Sequence, residues 1–424
     1  MRSNPRGVRW GTVLLIGLLA LLSAISLLYL RIDRQNRALE ETWRQSLGGK
    51  TFLEAYPPRE DNAVVRELKT RAPRLGVLLN LASEPEQVSL SEEARAANRQ
   101  LHSTIREYVR AMAEAVDGDF APAPVEVQEF LGVKADELDA IEALLVGPQP
   151  AIWELDLTRG YEVQIPNYLG VLQLHRLLLV RAGERIRLGD ESSALETLEA
   201  AWRLQEGVGN SPVLIAELIR QAMVRTQQPL LRAVCNVPEV WLQRLEELDL
   251  LGSTFRSLQA EAWVPFYVSY QPLPLGKEGD DSHLVRAGLR DFARRLQGSL
   301  ERLREQDLRN LDSEAFMKAE MDRLPRWQYI ARMLYPNFLD AWSKAAHLEL
   351  SVELTRLVWA ERQRRAAGAE PLAAVRRPSR IQGLDWIYEL SDEGLTIRLD
   401  GEMASPGPNP LPTRFQFRVG KERA

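Results

Sequence analysis

The stretch NYLGVLQLHRLLLVRAGERIRLGD (167–190), followed directly by ESSALETLEAAWRL (191–204), decides how this chain is read. Leu169, Leu172, Leu174, Leu177, Leu178 and Ile186 give the apolar pattern of one long buried helix. Gly189-Asp190 stops that helix, because glycine tolerates the left-handed conformation that ends a helix and aspartate competes with the backbone for hydrogen bonds. Ala194, Leu195, Leu198, Ala201, Trp202 and Leu204 then predict a second helix, with the alanines letting two helices approach closely and the leucines filling the space between them. Two adjacent helices joined by a few residues must fold back on each other, so the centre of the chain is a helical hairpin.

Working outward, Pro212 stands at the first turn of a third helix running through Leu214, Ile215, Leu218, Ile219 and Met223. Further helical segments are expected at Leu242–Leu250, Leu284–Leu311, Glu314–Leu334 and Leu339–Ala367, with Pro272–Asp281 as a loop. In the second of these Leu289, Phe292, Leu296, Leu300 and Leu303 alternate steps of three and four. Toward the N-terminus, helices are expected over Asp61–Leu81, from Ser91 to Gly118 and over Val125–Val146, with proline-rich joints at 121–124 and 147–150. Trp153-Glu154-Leu155-Asp156-Leu157 alternates like a short extended piece. Near residue 380 the period changes to two. Trp386–Leu390, a Ser-Asp-Glu-Gly turn and Leu395–Leu399 predict a β-hairpin, and Phe415–Val419 a third strand.

Trp10–Leu30 contains no charged residue, is preceded by Arg2, Arg6 and Arg9, and is followed by Arg31, Arg34 and Arg37. At ~1.5 Å per residue the run covers about 31 Å, close to the ~30 Å hydrocarbon core of a bilayer. It is read as one membrane-spanning helix, with Trp10 and Tyr29 as interfacial anchors. A cleaved signal peptide, with Ala24-Ile25-Ser26 as the small-residue cleavage site, is the competing reading, and a buried soluble helix is the other. The flanking arginines nearly balance, so orientation rests on the short tail staying in the cytoplasm. The organisation expected is a cytoplasmic tail (1–9), a transmembrane helix (10–30), a helical stalk (31–50), an α-helical domain (51–375) and a small β-element (376–424).

The 45% hydrophobic and 27% charged composition supports an ordinary core, and a net charge of -5 with mixed signs argues against a nucleic-acid binder. The single cysteine, Cys235, cannot form an internal disulfide and is expected in the core. His102, His175, His283 and His347 are far apart, with no partner at metal-ligand spacing, and Glu349 and Glu353 do not share a tight helical face with His347. No G-x-S-x-G elbow, phosphate-binding glycine loop or H-E-x-x-H helix is present. No catalytic, cofactor-binding or metal residue is therefore assigned, and no cofactor is expected. Three clusters stand out. Glu154, Asp156 and Glu162 beside Trp153 and Tyr161 have the residue types of a glycosidase site, although surface acids beside structural aromatics are the simpler account. Trp263–Tyr270 is either a peptide or glycan groove or an interface or, preferably, core packing at a helix end, and Arg376, Arg377 and Arg380 either meet acidic lipid head groups or an acidic partner or, more simply, belong to a solvated linker.

The Gly-Asp-x-x-x-Ala-Leu hairpin resembles the tetratricopeptide type, although only one such unit is clear. With the long helix and short β-ending, the layout resembles uncharacterised bacterial envelope proteins that carry one N-terminal membrane helix. That resemblance implies a mainly α fold with a small C-terminal antiparallel sheet, at the bacterial inner membrane with the body on the periplasmic side. It brings no activity. The function expected is a non-enzymatic protein-binding or scaffolding role, with membrane lipid and a protein as partners and no nucleic acid; the alternative is an anchored hydrolase of cell-wall or glycan material.

Overall fold

The computed structural model of the chain describes residues 6–80, 92–114, 120–270, 283–309, 313–323, 329–401, 403 and 413–418. Helix α1 is Arg6–Ser46, a single uninterrupted rod of 41 residues. Short α2 (Phe52–Ala55) and α3 (Ala63–Arg71) lead through a 3-10 turn at Ala72–Leu75 to α4 (Glu92–Glu114), α5 (Val125–Val133) and α6 (Ala135–Val146). The central trio is α7 (Tyr168–Arg187), α8 (Glu191–Gly209) and α9 (Leu214–Ala233). Then come α10 (Glu239–Glu247), α11 (Leu250–Tyr270), α12 (His283–Arg304), α13 (Ser313–Arg323) and α14 (Tyr329–Ala366).

The hairpin at the heart of the fold is set by two residues. Gly189 takes φ +83°, and the amides of Gly189 and Asp190 reach back to the carbonyls of Ile186 and Arg185, closing α7 with a Schellman motif. The Asp190 carboxylate then accepts from the Ser193 amide at 3.1 Å and caps α8, so one dipeptide ends one helix and starts the next. α7, α8 and α9 pack on one another, with α4 against α7 and α9, α6 against α8, and α11 and α14 against α9. Glu142 of α6, nearly buried, binds Arg181 and Arg185 of α7 and accepts from Thr197 of α8. That ties the three helices together polar face to polar face.

Several boundaries differ from those read in the sequence. Val125–Val146 is two helices, broken at Lys134. Pro212 lies just outside α9, whose cap is Val213. The stretch Leu242–Leu250 splits between α10 and the start of α11, and α11 continues through Pro265 to Tyr270 where no long helix was expected. α13 ends at Arg323, and Tyr329–Leu334, expected in that helix, belongs to α14, which begins ten residues before Leu339. Cys235 is half-buried just beyond α9 rather than in the core.

α1 does not stop being structural where the apolar run ends. Asn36, Leu39 and Trp43 of its second half are buried. Trp43 lies 5.5 Å from the Trp263 ring and 5.0 Å, edge on, from Phe266, and its indole N–H donates to Gln297 Oε1 at 2.8 Å. The expected stalk at 31–50 is thus a buttress docked into the body along α11 and α12, and the aromatic cluster at Trp263 is core packing, not a groove. Among the described residues no helix is long and apolar enough to cross a membrane. Within 10–30, side-chain environments are described for 15–23, 26–27 and 30.

The C-terminal sheet is a meander of β1 (Val375–Pro378), β2 (Asp385–Ser391), β3 (Gly394–Asp400) and β4 (Arg414–Arg418), all antiparallel. Ser391 pairs with Gly394 around a two-residue turn, as the hairpin pattern predicts. Trp386, Tyr388, Leu395, Ile397, Phe415 and Phe417 form the inner face. They close on Ala346, Leu350, Leu354 and Val358 of α14. Strand β1 was not expected. Its arginines are absorbed within the protein: Arg376 pairs with Asp385 (3.1 Å) and Asp400 (2.8 Å), and Arg377 lies over the Tyr388 ring. Beyond β1, Arg380 lies 3.8 Å from Glu349 and donates to the Glu246 carbonyl. Glu353 of α14 completes the clasp by accepting from the Ser379 hydroxyl (2.6 Å) and the Arg380 amide.

Candidate functional site

Of the acids of the glycosidase-like segment, Glu154 and Asp156 lie off its buried face. Residues 153–157 run extended, and Arg59 and Leu155 exchange backbone hydrogen bonds at 3.0 Å. Side chains in an extended chain alternate, so Trp153, Leu155 and Leu157 turn inward and are buried, while Glu154 is exposed. Asp156 is occupied locally, accepting from Thr158 and lying 3.3 Å from Arg159. The side chains of Tyr161 and Glu162 lie outside those described.

The histidines stay apart, and among the described residues no group of three potential ligands could hold a metal. His347 Nδ1 sits 2.9 Å from the Ser343 carbonyl, while neighbouring Glu349 accepts from the Leu250 amide at 2.7 Å and caps α11. His102 is half-buried on α4, and burial lowers its pKa; the side chain of His283 lies outside those described. His175 is fully buried in α7, and neither ring nitrogen has a hydrogen-bond partner. Burial pushes its pKa down to about 3. A depressed histidine pKa stabilises the fold above the unfolded value of 6.5 and costs stability as pH falls below it, because only the unfolded chain takes up the proton. From pH 6.5 to pH 5 the loss is about 2 kcal/mol at ~1.4 kcal/mol per unit. Urea midpoints at pH 7 and pH 5 measure it, and His175→Leu is expected to remove that share of the acid sensitivity.

One cleft draws on six separate parts of the chain, with a volume of about 290 Å³. Leu47 comes from the end of α1, Ala55, Tyr56, Pro57 and Arg59 from the end of α2 and the segment after it, Leu155 and Leu157 from the inward face of the extended piece, and Gly209–Pro212 from the α8–α9 turn. Glu217 of α9 and Ser253, Arg256 and Ser257 of α11 complete it. The register of the extended piece is what positions Arg59: backbone pairing to Leu155 holds it in place, and its guanidinium donates to the Asn210 carbonyl at 3.0 Å. Gly209 is required at the turn, since a Cβ there would meet the Arg220 stem at 2.6 Å.

The electrostatics of the cleft are unequal. Glu217 is buried and saturated: Arg220 binds both its oxygens at 2.9 and 3.0 Å, and Ser253 and Thr254 donate to it as well. Arg220 also donates to the Ser253 hydroxyl. The N-terminus of α9 is likewise taken, with the Leu214 amide donating to Glu261. Arg256 faces Asp249 at 3.4 Å, both largely exposed. Arg59, by contrast, has no carboxylate partner among the described residues, and burial lowers its pKa while leaving it a cation. Burial pushes the Tyr56 phenol up to about 12, opposed by Arg256, and raises that of Tyr168, whose hydroxyl donates to Ser211 at 3.0 Å. Both phenols are therefore neutral donors at ordinary pH. Arg59, Tyr56 and Arg256 drew no attention in the sequence, where the only local signal was Pro57-Pro58 beside them. Comparison with protein-family models, curated proteins and solved structures found no significant match.

Proposed function

We propose that this is a single-pass membrane protein whose helical body acts as a non-enzymatic binding or scaffolding module held close to the bilayer. The observation that carries this reading is α1. In its first half Leu15, Ile16, Leu18, Leu19, Leu21 and Leu22 are each at least 51% exposed. Leu27 and Leu30 are more exposed still. Large apolar residues exposed on the body, such as Val133, Leu188 and Leu390, stand far apart in the chain, and single exposed apolar residues are ordinary. A continuous apolar rod of about 31 Å is not, and a bilayer is the solvent that fits it. One face of the second half of the same helix, with Asn36, Leu39 and Trp43, docks into the body, so anchor and body are joined by a packed helix and not a loose linker. Residues 31–46 advance only ~24 Å along the axis, so an anchor at 10–30 would keep the body close to the bilayer. The near-neutral cleft floor, with its only lining carboxylate already saturated, favours binding over bond-breaking.

The compartment follows from the short arginine-containing tail: cytoplasmic for 1–9, with the body on the periplasmic side of a bacterial inner membrane. Alkaline carbonate extraction is expected to leave the full chain in the membrane pellet and release a variant lacking residues 1–30. A C-terminal reporter that matures only in the cytoplasm is expected to stay dark. Release of the full chain by carbonate overturns the anchor, and a bright reporter overturns the orientation. Cross-linking in native membranes is expected to capture the same protein partner reproducibly, and its consistent absence counts against scaffolding.

A further inference from the structure

We infer that the cleft beside Arg59 binds a small organic monoanion, a carboxylate carrying an apolar body. The inference goes beyond the anchored-scaffold reading and does not depend on it. Its basis is a charge balance. Of the charged groups lining the cleft, Glu217 is neutralised by Arg220 and Arg256 is shared with Asp249, which leaves Arg59 as the one lining charge with no charged partner among the described residues. A half-buried guanidinium with no carboxylate partner is costly unless an anion supplies one. One net charge matches a carboxylate better than a phosphate dianion.

The remaining surface fits the rest of such a ligand. The Tyr56 hydroxyl and the Ser257 hydroxyl, both at the cleft, have no hydrogen-bond partner among the described residues, so both are available to a carboxylate. Leu47, Ala55, Pro57, Leu155 and Leu157 line the cleft with apolar surface. A volume near 290 Å³ holds a ring or a short chain but not a peptide or sugar oligomer. The one hydroxyl–carboxylate pair in the lining, Ser253 with Glu217, is held in the Arg220 ion pair and is not free to take a proton, so the site recognises its ligand and leaves it unchanged.

The test is calorimetric titration of the full chain in detergent with phenylacetate, its neutral counterpart 2-phenylethanol, and inorganic phosphate. Phenylacetate is expected to bind saturably, at least tenfold more tightly than either of the others. Arg59→Gln, which leaves the backbone pairing to Leu155 available, is expected to weaken phenylacetate at least tenfold. Tyr56→Phe keeps the ring against Phe52 and Trp263 and removes only the hydroxyl, so it is expected to weaken binding severalfold without changing the unfolding midpoint. Asp249→Asn is expected to strengthen binding by freeing Arg256. Equal binding of acid and alcohol, tighter binding of phosphate, or no saturable phenylacetate binding overturns the proposal. So does full affinity in both Arg59→Gln and Tyr56→Phe.

Discussion

Trp43→Ala is expected to cost the full chain about 3–5 kcal/mol of unfolding free energy, the range for emptying a buried tryptophan site. The indole is fully buried, touches Trp263 and Phe266 at ring distances of 5.5 and 5.0 Å, and satisfies Gln297 with its N–H. Truncation removes two aromatic contacts, each worth roughly 0.5–1.5 kcal/mol beyond area, and strips a buried amide oxygen of its donor. Trp43→Phe separates these effects: a ring remains but the hydrogen bond goes, so a loss of about 1–3 kcal/mol is expected from the orphaned acceptor and the smaller ring. Arg37→Ala, on the exposed face of the same helix with its Asp33 pair in solvent, is expected to change stability by less than ~0.5 kcal/mol. Urea unfolding followed by tryptophan fluorescence, with circular dichroism for the Trp43 variants, gives the order wild type, Phe, Ala. Hydrogen exchange across 47–56 is expected to rise only in the Trp43 variants. If Trp43→Ala costs no more than Arg37→Ala, the second half of α1 is a spacer and the rigid seating is wrong.

That docking was not legible in the sequence, and the reason is physical. Helical periodicity reports which face of a segment is apolar, not what covers it, so Gln35–Leu47 reads equally well as a solvated stalk with a few buried residues. The Gly189-Asp190 turn was legible, because both the glycine conformation and the aspartate cap are local events set by the residues themselves. The β2–β3 hairpin was legible for the same reason. Helix α11 was not, since Pro265 resembles a terminator, yet α11 passes through it just as α9 passes through Pro229. A proline costs roughly 3 kcal/mol in a helix interior, which tertiary burial of Trp263 and Phe266 can outweigh. β1 was missed because Val375-Arg376-Arg377-Pro378 has no apolar alternation: its place is fixed by pairing to β2 and by Asp385 and Asp400.

The cleft illustrates the same division. The alternation of 153–157 was legible as an extended piece, and the structure turns Trp153, Leu155 and Leu157 inward, leaves Glu154 exposed and ties Asp156 to Thr158 and Arg159, so neither acid enters the cleft. Nothing in the order of residues brings Tyr56, Ser211 and Arg256 together. Their proximity comes from the α8–α9 turn meeting α11 and the end of α1, all contacts remote in sequence. Singling out acids and aromatics that are neighbours in the chain therefore led away from the residues that share a cavity.

Glu217→Leu is expected to destabilise the protein by about 3–5 kcal/mol, because it leaves Arg220 charged, nearly buried and without its carboxylate. The size comes from the guanidinium left behind more than from the attraction lost. Ser253 and Gly209 hold the Arg220 side chain where it is, since its stem lies against the α8 terminus and its Nη2 donates to the serine. Removing both charges tests this directly. Glu217→Leu with Arg220→Met replaces the pair by apolar groups of similar volume, and the double variant is expected to recover most of the loss, ending within about 1–2 kcal/mol of wild type. Glu217→Gln keeps hydrogen-bonding capacity without the charge and is expected to fall between. Urea midpoints for wild type, Glu217→Leu, Arg220→Met alone and the double variant close the cycle. A double variant as unstable as Glu217→Leu alone shows that the carboxylate is needed for itself, as acceptor for Ser253, Thr254 and Gln221 at the α9–α11 interface. Recovery shows instead that the pair serves to neutralise the cleft floor, which is the condition that leaves Arg59 as its unmatched charge.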